Sequence, residues 1–244
     1  MRKVLVIPDM HVPYHDEDVW ELILLAIQRT KPTHVVIIGD FADFYKVSSH
    51  SKDPARKISF EGEVDAVNEE LDRLESITSR IGAKVIYCEG NHETRLSRHL
   101  TEKSPQLAAM ITCRKLFKIS ARGWQWVPYR KCTKIGKMYF THDLDRAGKN
   151  AAAQALVDFG GNVTIGHTHR GCTTYLGTVR GESHVCLNVG WGGDLDAIDY
   201  KHSARAKREW QHGFGFIYVE NNGNCHAHFI PIVDDACVVD GKYL

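Results

Sequence analysis

No run of this chain approaches the roughly 20 consecutive apolar residues that cross a bilayer, although 43% of its 244 residues are hydrophobic. No membrane span and no membrane partner are expected. Charge of one sign is missing as well. The 31 Lys and Arg stand against 30 Asp and Glu, for a net charge of +1, so no global field favours nucleic acid or acidic lipid, and attraction is left to local patches. The seven Cys contain no C-x-x-C pair and their number is odd, which argues against a disulfide framework and a structural zinc finger. The opening MRKVLVIPDM has too short an apolar run before Asp9 to serve as a secretory leader, and a reducing cytoplasm is the expected compartment. A phosphate-binding P-loop is also absent. Gly148-Lys149 has no Gly five residues earlier, and Asn150 stands where Ser or Thr is required. Repeats, low-complexity tracts and linkers are lacking too, so a single domain over residues 1–244 is expected.

What the chain does have is 14 His, several at the ends of apolar runs. Lys3 to Pro8 (KVLVIP) reads as a central strand and ends in Asp9-Met10-His11. An Asp and a His two apart on extended chain point the same way, so both can reach one metal, though the pair taken alone reads more readily as a turn Asp and a surface His. Glu17 to Thr30 has Trp20, Ile23, Leu24 and Ile27 on one helical face. His34 to Ile38 is the next strand and leads into Gly39-Asp40-Phe41-Ala42-Asp43, so strand-helix-strand argues for a parallel pair. Residues 44–61 are polar and aperiodic and read as a long loop, where His50, Arg56 and Lys57 could face an anion. Val64, Val67, Leu71, Leu74, Ile77 and Ile81 mark a helix ending at Gly82. The strand 83–88 then delivers Gly90-Asn91-His92-Glu93 on a loop held by a rigid sheet.

Thr94 to Lys103 reads as a helix, with Arg95 and Arg98 near its start, where cations oppose the helix dipole. Residues 105–122 read as a short helix and connector. Trp124 to Pro128 and Ile135 to Thr141 read as strands of a second sheet, the latter delivering His142. Arg146 to Phe159 reads as a helix. Asn162 to Ile165 reads as a strand ending in Gly166-His167-Thr168-His169, whose two His share a face if the backbone stays extended. Strands near 172–177, 184–189, 214–219 and 225–232 follow without helices, which assigns them to the second sheet. Residues 194–212, with Arg205, Lys207 and Arg208, form a polar insertion that reads as a lid or rim.

Asp9, His11, Asp40, Asn91, His142, His167 and His169 mix carboxylate, amide and imidazole donors. That mixture suits Mn²⁺, Fe, Co, Ni or Zn²⁺ better than Ca²⁺. Seven such ligands are too many for one cation and suit two that share Asp40. Two metals about 3.5–4 Å apart clamp a phosphoryl oxygen and turn a bridging water into hydroxide near neutral pH. His92, adjacent to Asn91, is available as general acid, with Asp43 accepting its other N–H.

The ordered set resembles the calcineurin-like metallophosphoesterase superfamily, whose pattern is D-x-H, G-D-x-x-D, G-N-H-[D/E], H and G-H-x-H. Its members here are Asp9/His11, Gly39-Asp40/Asp43, Gly90-Asn91-His92-Glu93, His142 and Gly166-His167/His169. The layout looks closest to compact, uncapped bacterial or phage-type members. The resemblance implies an α/β fold, a four-layer αββα sandwich with two facing mixed sheets. It implies one metal on Asp9, His11, Asp40 and His169, and another on Asp40, Asn91, His142 and His167. It also implies His92 as the catalytic His and Asp43 as its partner. Mn²⁺ is the expected ion, with Fe, Ni, Co or Zn as alternatives.

The resemblance fails at two positions. Asp143 follows His142 where many members have Gly, and Phe44 stands where protein Ser/Thr phosphatases carry a substrate-binding Arg. Arg95, Arg170 or the 194–212 insertion would then bind the phosphate. The expected activity is hydrolysis of phosphodiesters or phosphomonoesters, nucleotides among them, by a metal-bridging hydroxide. The alternatives are a nuclease acting on single strands, a protein Ser/Thr phosphatase and a non-catalytic scaffold. Net charge does not favour nucleic acid, and the presence of His92 disfavours the scaffold.

Overall fold

The computed structural model describes residues 1–53, 56–197 and 209–244. The strands that carry the site begin with β1 (Arg2–Ile7), β2 (His34–Ile37) and β3 (Lys84–Cys88), linked by α1 (Glu17–Thr30) and α2 (Phe60–Ile81). β1, β2 and β3 pair in parallel, as the strand-helix-strand order predicts. Asp16 caps α1 by accepting the Val19 N–H at 3.1 Å, and Ser59 caps α2 by accepting that of Gly62 at 3.0 Å. Each cap satisfies an orphan donor of a first turn.

After α3 (Glu93–Lys103) come two single-turn helices, α4 (Pro105–Ala108) and α5 (Cys113–Leu116), and then β4 (Gln125–Val127). β4 pairs in parallel with β3, so the 124–128 segment belongs to the first sheet and not the second. The helices between β3 and β4 make a crossover back to the same sheet, which an apolar triplet read in isolation does not reveal. The expected single strand 135–141 is a hairpin, β5 (Thr133–Ile135) against β6 (Met138–Phe140). The expected helix from Arg146 starts later, as α6 (Ala151–Phe159).

β7 (Val163–Ile165), β8 (Gly171–Gly177) and β9 (Ser183–Val189) complete the second sheet, whose order is β5-β6-β7-β9-β8. β10 (Gly213–Val219) and β11 (Cys225–Pro231) do not join it. They extend the first sheet, whose order is β11-β10-β1-β2-β3-β4. β10 runs antiparallel to β1, so the connection after β9 carries the chain from one sheet to the other. Short strands β12 (Val238–Val239) and β13 (Lys242–Tyr243) close the fold.

Residue parity on the strands builds the layers. Leu5, Ile7, Val35, Ile37, Val85 and Tyr87 face Trp20, Ile23, Val67, Leu71 and Leu96 of α1, α2 and α3. Val4, Val6, Val36, Ile38 and Ile86 face Met138, Phe140, Leu187 and Val189 of the second sheet. Val163, Ile165 and Cys186 face Ala152, Ala155 and Leu156 of α6. The result is the expected four-layer αββα sandwich. Its parallel strands all end on one edge, and the polar strand ends gather there. Among the described residues no helix is long and apolar enough to cross a membrane.

Candidate metal centre

Three strand ends are packed almost backbone to backbone. A Cβ at Gly90 would stand 2.2 Å from Asp40 Oδ1, and one at Gly39 would stand 2.5 Å from His142 Nδ1. Only Gly permits that approach, so β2 and β3 can deliver Asp40 and Asn91 to one place. Three of the neighbouring His and Asp residues reach it through left-handed backbone: His11 at φ 55°, Asp40 at φ 47° and His167 at φ 66°. His169 is similar, at φ 59°. His11, His167 and His169 are therefore not on the extended backbone that their i, i+2 spacing predicts. Asp9 and His11 nevertheless meet in one group, whereas His167 and His169 do not share a face and belong to different groups.

One group gathers Asp9, His11 and His169, and another gathers Asp40, His142 and His167. In the first, His169 Nε2 is 3.1 Å from His11 Nε2 and 3.4 Å from Asp9 Oδ2. In the second, Asn91 Oδ1 is 2.8 Å from His167 Nδ1 and 3.0 Å from His142 Nε2. His142 Nε2 is also 3.2 Å from Asp40 Oδ2. These are mostly lone-pair atoms facing one another, and a cation is what such a set accommodates. His142 donates Nδ1–H to the Ile38 carbonyl at 3.1 Å, the orientation that turns the other nitrogen's lone pair toward a metal. Burial pushes the Asp9 carboxyl up to about 6 and the imidazoles of His11 and His169 down to about 4 and about 3. The two imidazoles are thus neutral at pH 7, the form in which His ligates. For His142, burial acts downward but Asp40 and Asp9 outweigh it, and its pKa rises to about 10. A proton occupies that nitrogen until a cation replaces it.

Asp43 and His92 lie beside the first group. Asp43 Oδ1 is 2.9 Å from His92 Nδ1 and 3.3 Å from His11 Nδ1. It therefore orients both rings, a link to His11 that spacing did not reveal. Burial acts upward on Asp43, but the hydrogen bonds from His11 and His92 outweigh it and hold the carboxyl far below its ordinary value. Arg95, in the first turn of α3, is buried. Its Nη2 lies 2.8 Å from His92 Nε2 and its Nη1 donates to the Asp43 carbonyl at 2.8 Å. Arg170 donates to the Thr168 carbonyl at 3.0 Å and pairs with Glu209 at 2.6 Å.

Arg56 lies over the rings of Tyr14 and Tyr45, at 4.0 and 4.6 Å, and donates to the Ala197 carbonyl. It ties the 44–61 loop to the start of the 194–212 insertion. His50 and Lys57 are exposed. Arg205, Lys207 and Arg208 lie outside the described residues. Phe44 is buried, stacked on Phe60 and Phe117 at 5.7 Å each. The residue after Asp43 is thus a core residue with no way to meet a phosphate. Asp143 turns away from the centre and accepts from the Tyr129 hydroxyl at 2.7 Å.

Glu93 has a larger part than its place in the motif suggests. Fully buried, it accepts the N–H groups of Asp40 (3.0 Å), Ala42 (3.1 Å) and Gly90 (2.8 Å) and the Tyr87 hydroxyl (2.8 Å). Three N–H donors from two loops and a hydroxyl from β3 converge on one carboxylate, which locks those loops together. Glu93→Gln puts an amide donor against donors whichever way the amide is turned. We expect a loss of about 1–3 kcal/mol, read as a lower urea midpoint in the presence of EDTA; an unchanged midpoint would show that the crosslink is dispensable.

A sequence model of the calcineurin-like phosphoesterases matches residues 2–219, nearly the whole chain. The chain belongs to the calcineurin-like phosphoesterase family. Two similar proteins are the Gene 54 protein of Mycobacterium phage L5, 26% identical over 99% of this chain and 98% of its own, and that of phage D29, 25% identical over 98% and 97%. Among solved structures, YfcE, a phosphoesterase from E. coli, aligns over 93% of this chain and 98% of its own, at 15% identity and a TM-score of 0.41. Calcineurin-like phosphoesterases are metal-dependent hydrolases of phosphate esters, and this chain carries Asp and His groups able to bind metal.

Proposed function

We propose that the chain hydrolyses phosphodiesters, phosphomonoesters or both at a centre for two divalent cations. Asp9, His11, Asp40 and His169 would hold one ion, and Asp40, Asn91, His142 and His167 the other. The observation that carries this reading is the pair of imidazole nitrogens, His11 Nε2 and His169 Nε2, set 3.1 Å apart and 9% or less exposed. With both rings neutral, at most one can donate to the other, and Asp9 Oδ2 adds a further acceptor. Two cations supply Lewis acidity at phosphorus and an acidified water as nucleophile. Mn²⁺ suits the mixed N and O donors, with Fe, Ni, Co or Zn as alternatives.

His92 supplies the proton to the leaving group. Asp43 takes its Nδ1–H, so Nε2 is the nitrogen that faces the reaction. Burial acts to lower its pKa, but Asp40 and Asp43 outweigh burial and raise it above the ordinary His value. The Arg95 contact at Nε2 and a proton on Nε2 are alternatives, since a guanidinium cannot donate to a nitrogen that already carries hydrogen. Protonation of His92 therefore releases Arg95 Nη2 to a substrate oxygen, where a charge-assisted bond is stronger. Arg170 is the second candidate for the substrate anion, in exchange for its pairing with Glu209.

The test is turnover of bis-p-nitrophenyl phosphate against p-nitrophenyl phosphate by EDTA-stripped protein reloaded with Mn²⁺. Metal-dependent release of nitrophenol from at least one is expected, and the ratio assigns diester or monoester preference. No hydrolysis of either with Mn²⁺, Fe²⁺, Co²⁺, Ni²⁺ or Zn²⁺ overturns the proposal.

A further inference from the structure

A histidine that gives one ring nitrogen to a metal ordinarily donates the other N–H to an oxygen, which fixes the ring's rotation. His142 does this through Ile38 and His11 through Asp43. His169 does not. Its Nε2 faces His11 and Asp9, while its buried Nδ1 has no hydrogen-bond partner. Aromatic faces hold the ring instead. Trp191 stacks on it at 5.5 Å with 20° between planes, and Trp210 meets it edge-on at 4.4 Å and 83°. The two indoles also touch each other, at 5.0 Å and 63°. An imidazole in that slot cannot rotate without driving into an indole.

The slot is anchored to both sheets. Trp191 follows β9 of the second sheet and forms bridges with Asp9, after β1, and with His212, before β10. Its N–H donates to the Gln211 carbonyl at 3.0 Å, and its carbonyl accepts from Gly213 at 3.3 Å. Its side chain is 1% exposed, and its Nε1 is buried with no hydrogen-bond partner. The indole is therefore placed by packing and not by a polar contact of its own. A Cβ at Gly193 would stand 2.3 Å from Trp191 Cζ2, so the glycine keeps room for the ring. Gln211, next to Trp210, donates its N–H to the His169 carbonyl at 3.0 Å, so the clamp grips the backbone as well as the ring.

We infer that Trp191 and Trp210 are positioning residues that hold His169 for metal and set the affinity of only one of the two metal positions. The inference rests on the two-metal reading above. The position built on Asp9, His11 and His169 depends on the indole packing against His169, whereas the one built on Asp40, Asn91, His142 and His167 has a ligand ring, His142, fixed by a hydrogen bond to the Ile38 carbonyl.

Titrating Mn²⁺ into EDTA-stripped full-length protein, with free Mn²⁺ read by its EPR signal, tests this without reference to activity. The parent binds two ions. Trp210→Leu keeps one at parental affinity and binds the other about 10–100-fold more weakly, the usual cost of losing a residue that orients a ligand. Trp210→Met, closer to the indole in volume, shows the same split and serves where Leu impairs folding. Trp210→Phe, which keeps an aromatic edge against His169, restores the lost affinity. A merely structural role would weaken both ions alike and would not distinguish Phe from Met. Parental binding of both ions by the Leu and Met variants, or equal weakening of both, overturns the clamp while leaving the two-metal reading intact. A parent that binds fewer than two ions overturns both.

Discussion

Asp40→Asn is expected to leave the protein with fewer than two Mn²⁺ per chain and to lower hydrolysis by about three orders of magnitude, the several kcal/mol that metal ions contribute to the transition state. The substitution is nearly silent in shape. Asp40 sits at φ 47°, a left-handed backbone that Asn tolerates as well as Asp. The Asp40 Oδ1 that accepts the His92 N–H at 2.7 Å can be replaced by an amide oxygen. What disappears is the carboxylate charge of the group that also holds His142 and His167, at a side chain 1% exposed, where low dielectric magnifies it. Burial acts to raise the Asp40 pKa, but His142 and His92 outweigh it and hold the carboxyl well below its usual range. The charge is therefore present before any cation arrives.

The metal-free protein supplies a second readout. His142, raised to about 10 by Asp40 and Asp9 against burial, contributes stability in full below its unfolded value of about 6.5. That contribution fades as pH rises toward 10. The destabilisation by Asp40→Asn in EDTA should thus be largest near pH 6 and shrink on going to pH 9. Elemental analysis and thermal unfolding at the two pH values check these points. Two ions per chain at parental rate would remove Asp40 from the centre of the scheme.

The polar strand ends were legible because each interrupts an apolar run with residues that a strand has no reason to keep. Asp9, Asp40, Asn91 and His142 are found this way, and the four layers are implied by the family resemblance that these residues carry. What failed was whatever depends on partners distant in sequence. β4 is an apolar triplet whose neighbour is decided by the crossover through α3 to α5, and β10 returns to β1 across 190–212, a connection with no pattern of its own. The i, i+2 spacing of Asp9/His11 and of His167/His169 suggests extended chain, but His11, His167 and His169 all have positive φ, and only the first pair converges on one group. Glu93 stood in plain view inside its motif, but spacing cannot tell a carboxylate with four donors from a helix-start acid. Trp191 carried a weak signal: an aromatic between Gly190 and Gly192-Gly193 is placed where backbone must come close to a large ring.

His92→Ala separates proton transfer from metal binding, and its expected effect is a loss of about 10²–10⁴-fold in turnover with both ions retained. The ring takes no part in either metal-binding group as assigned above. Its backbone N–H, the one contact it makes with the Asp40 carboxylate at hydrogen-bond distance, survives in Ala. What is lost is the Nδ1 link to Asp43 at 2.9 Å and the nitrogen that would protonate the departing oxygen. The deficit should therefore depend on the leaving group. An alkyl ester, whose alkoxide leaves badly without a proton, should show the full loss. A nitrophenyl ester, whose anion leaves readily, should show less. Asp43→Asn should give a partial loss of the same kind, but with a difference: Asp43 also orients His11, so this variant should weaken metal binding where His92→Ala does not. The double variant should lose little more turnover than His92→Ala alone, because the two side chains act as a unit in proton transfer. Equal losses on alkyl and nitrophenyl esters would mean that His92 stabilises charge without passing a proton. Unchanged turnover on the alkyl ester would assign the acid to another group.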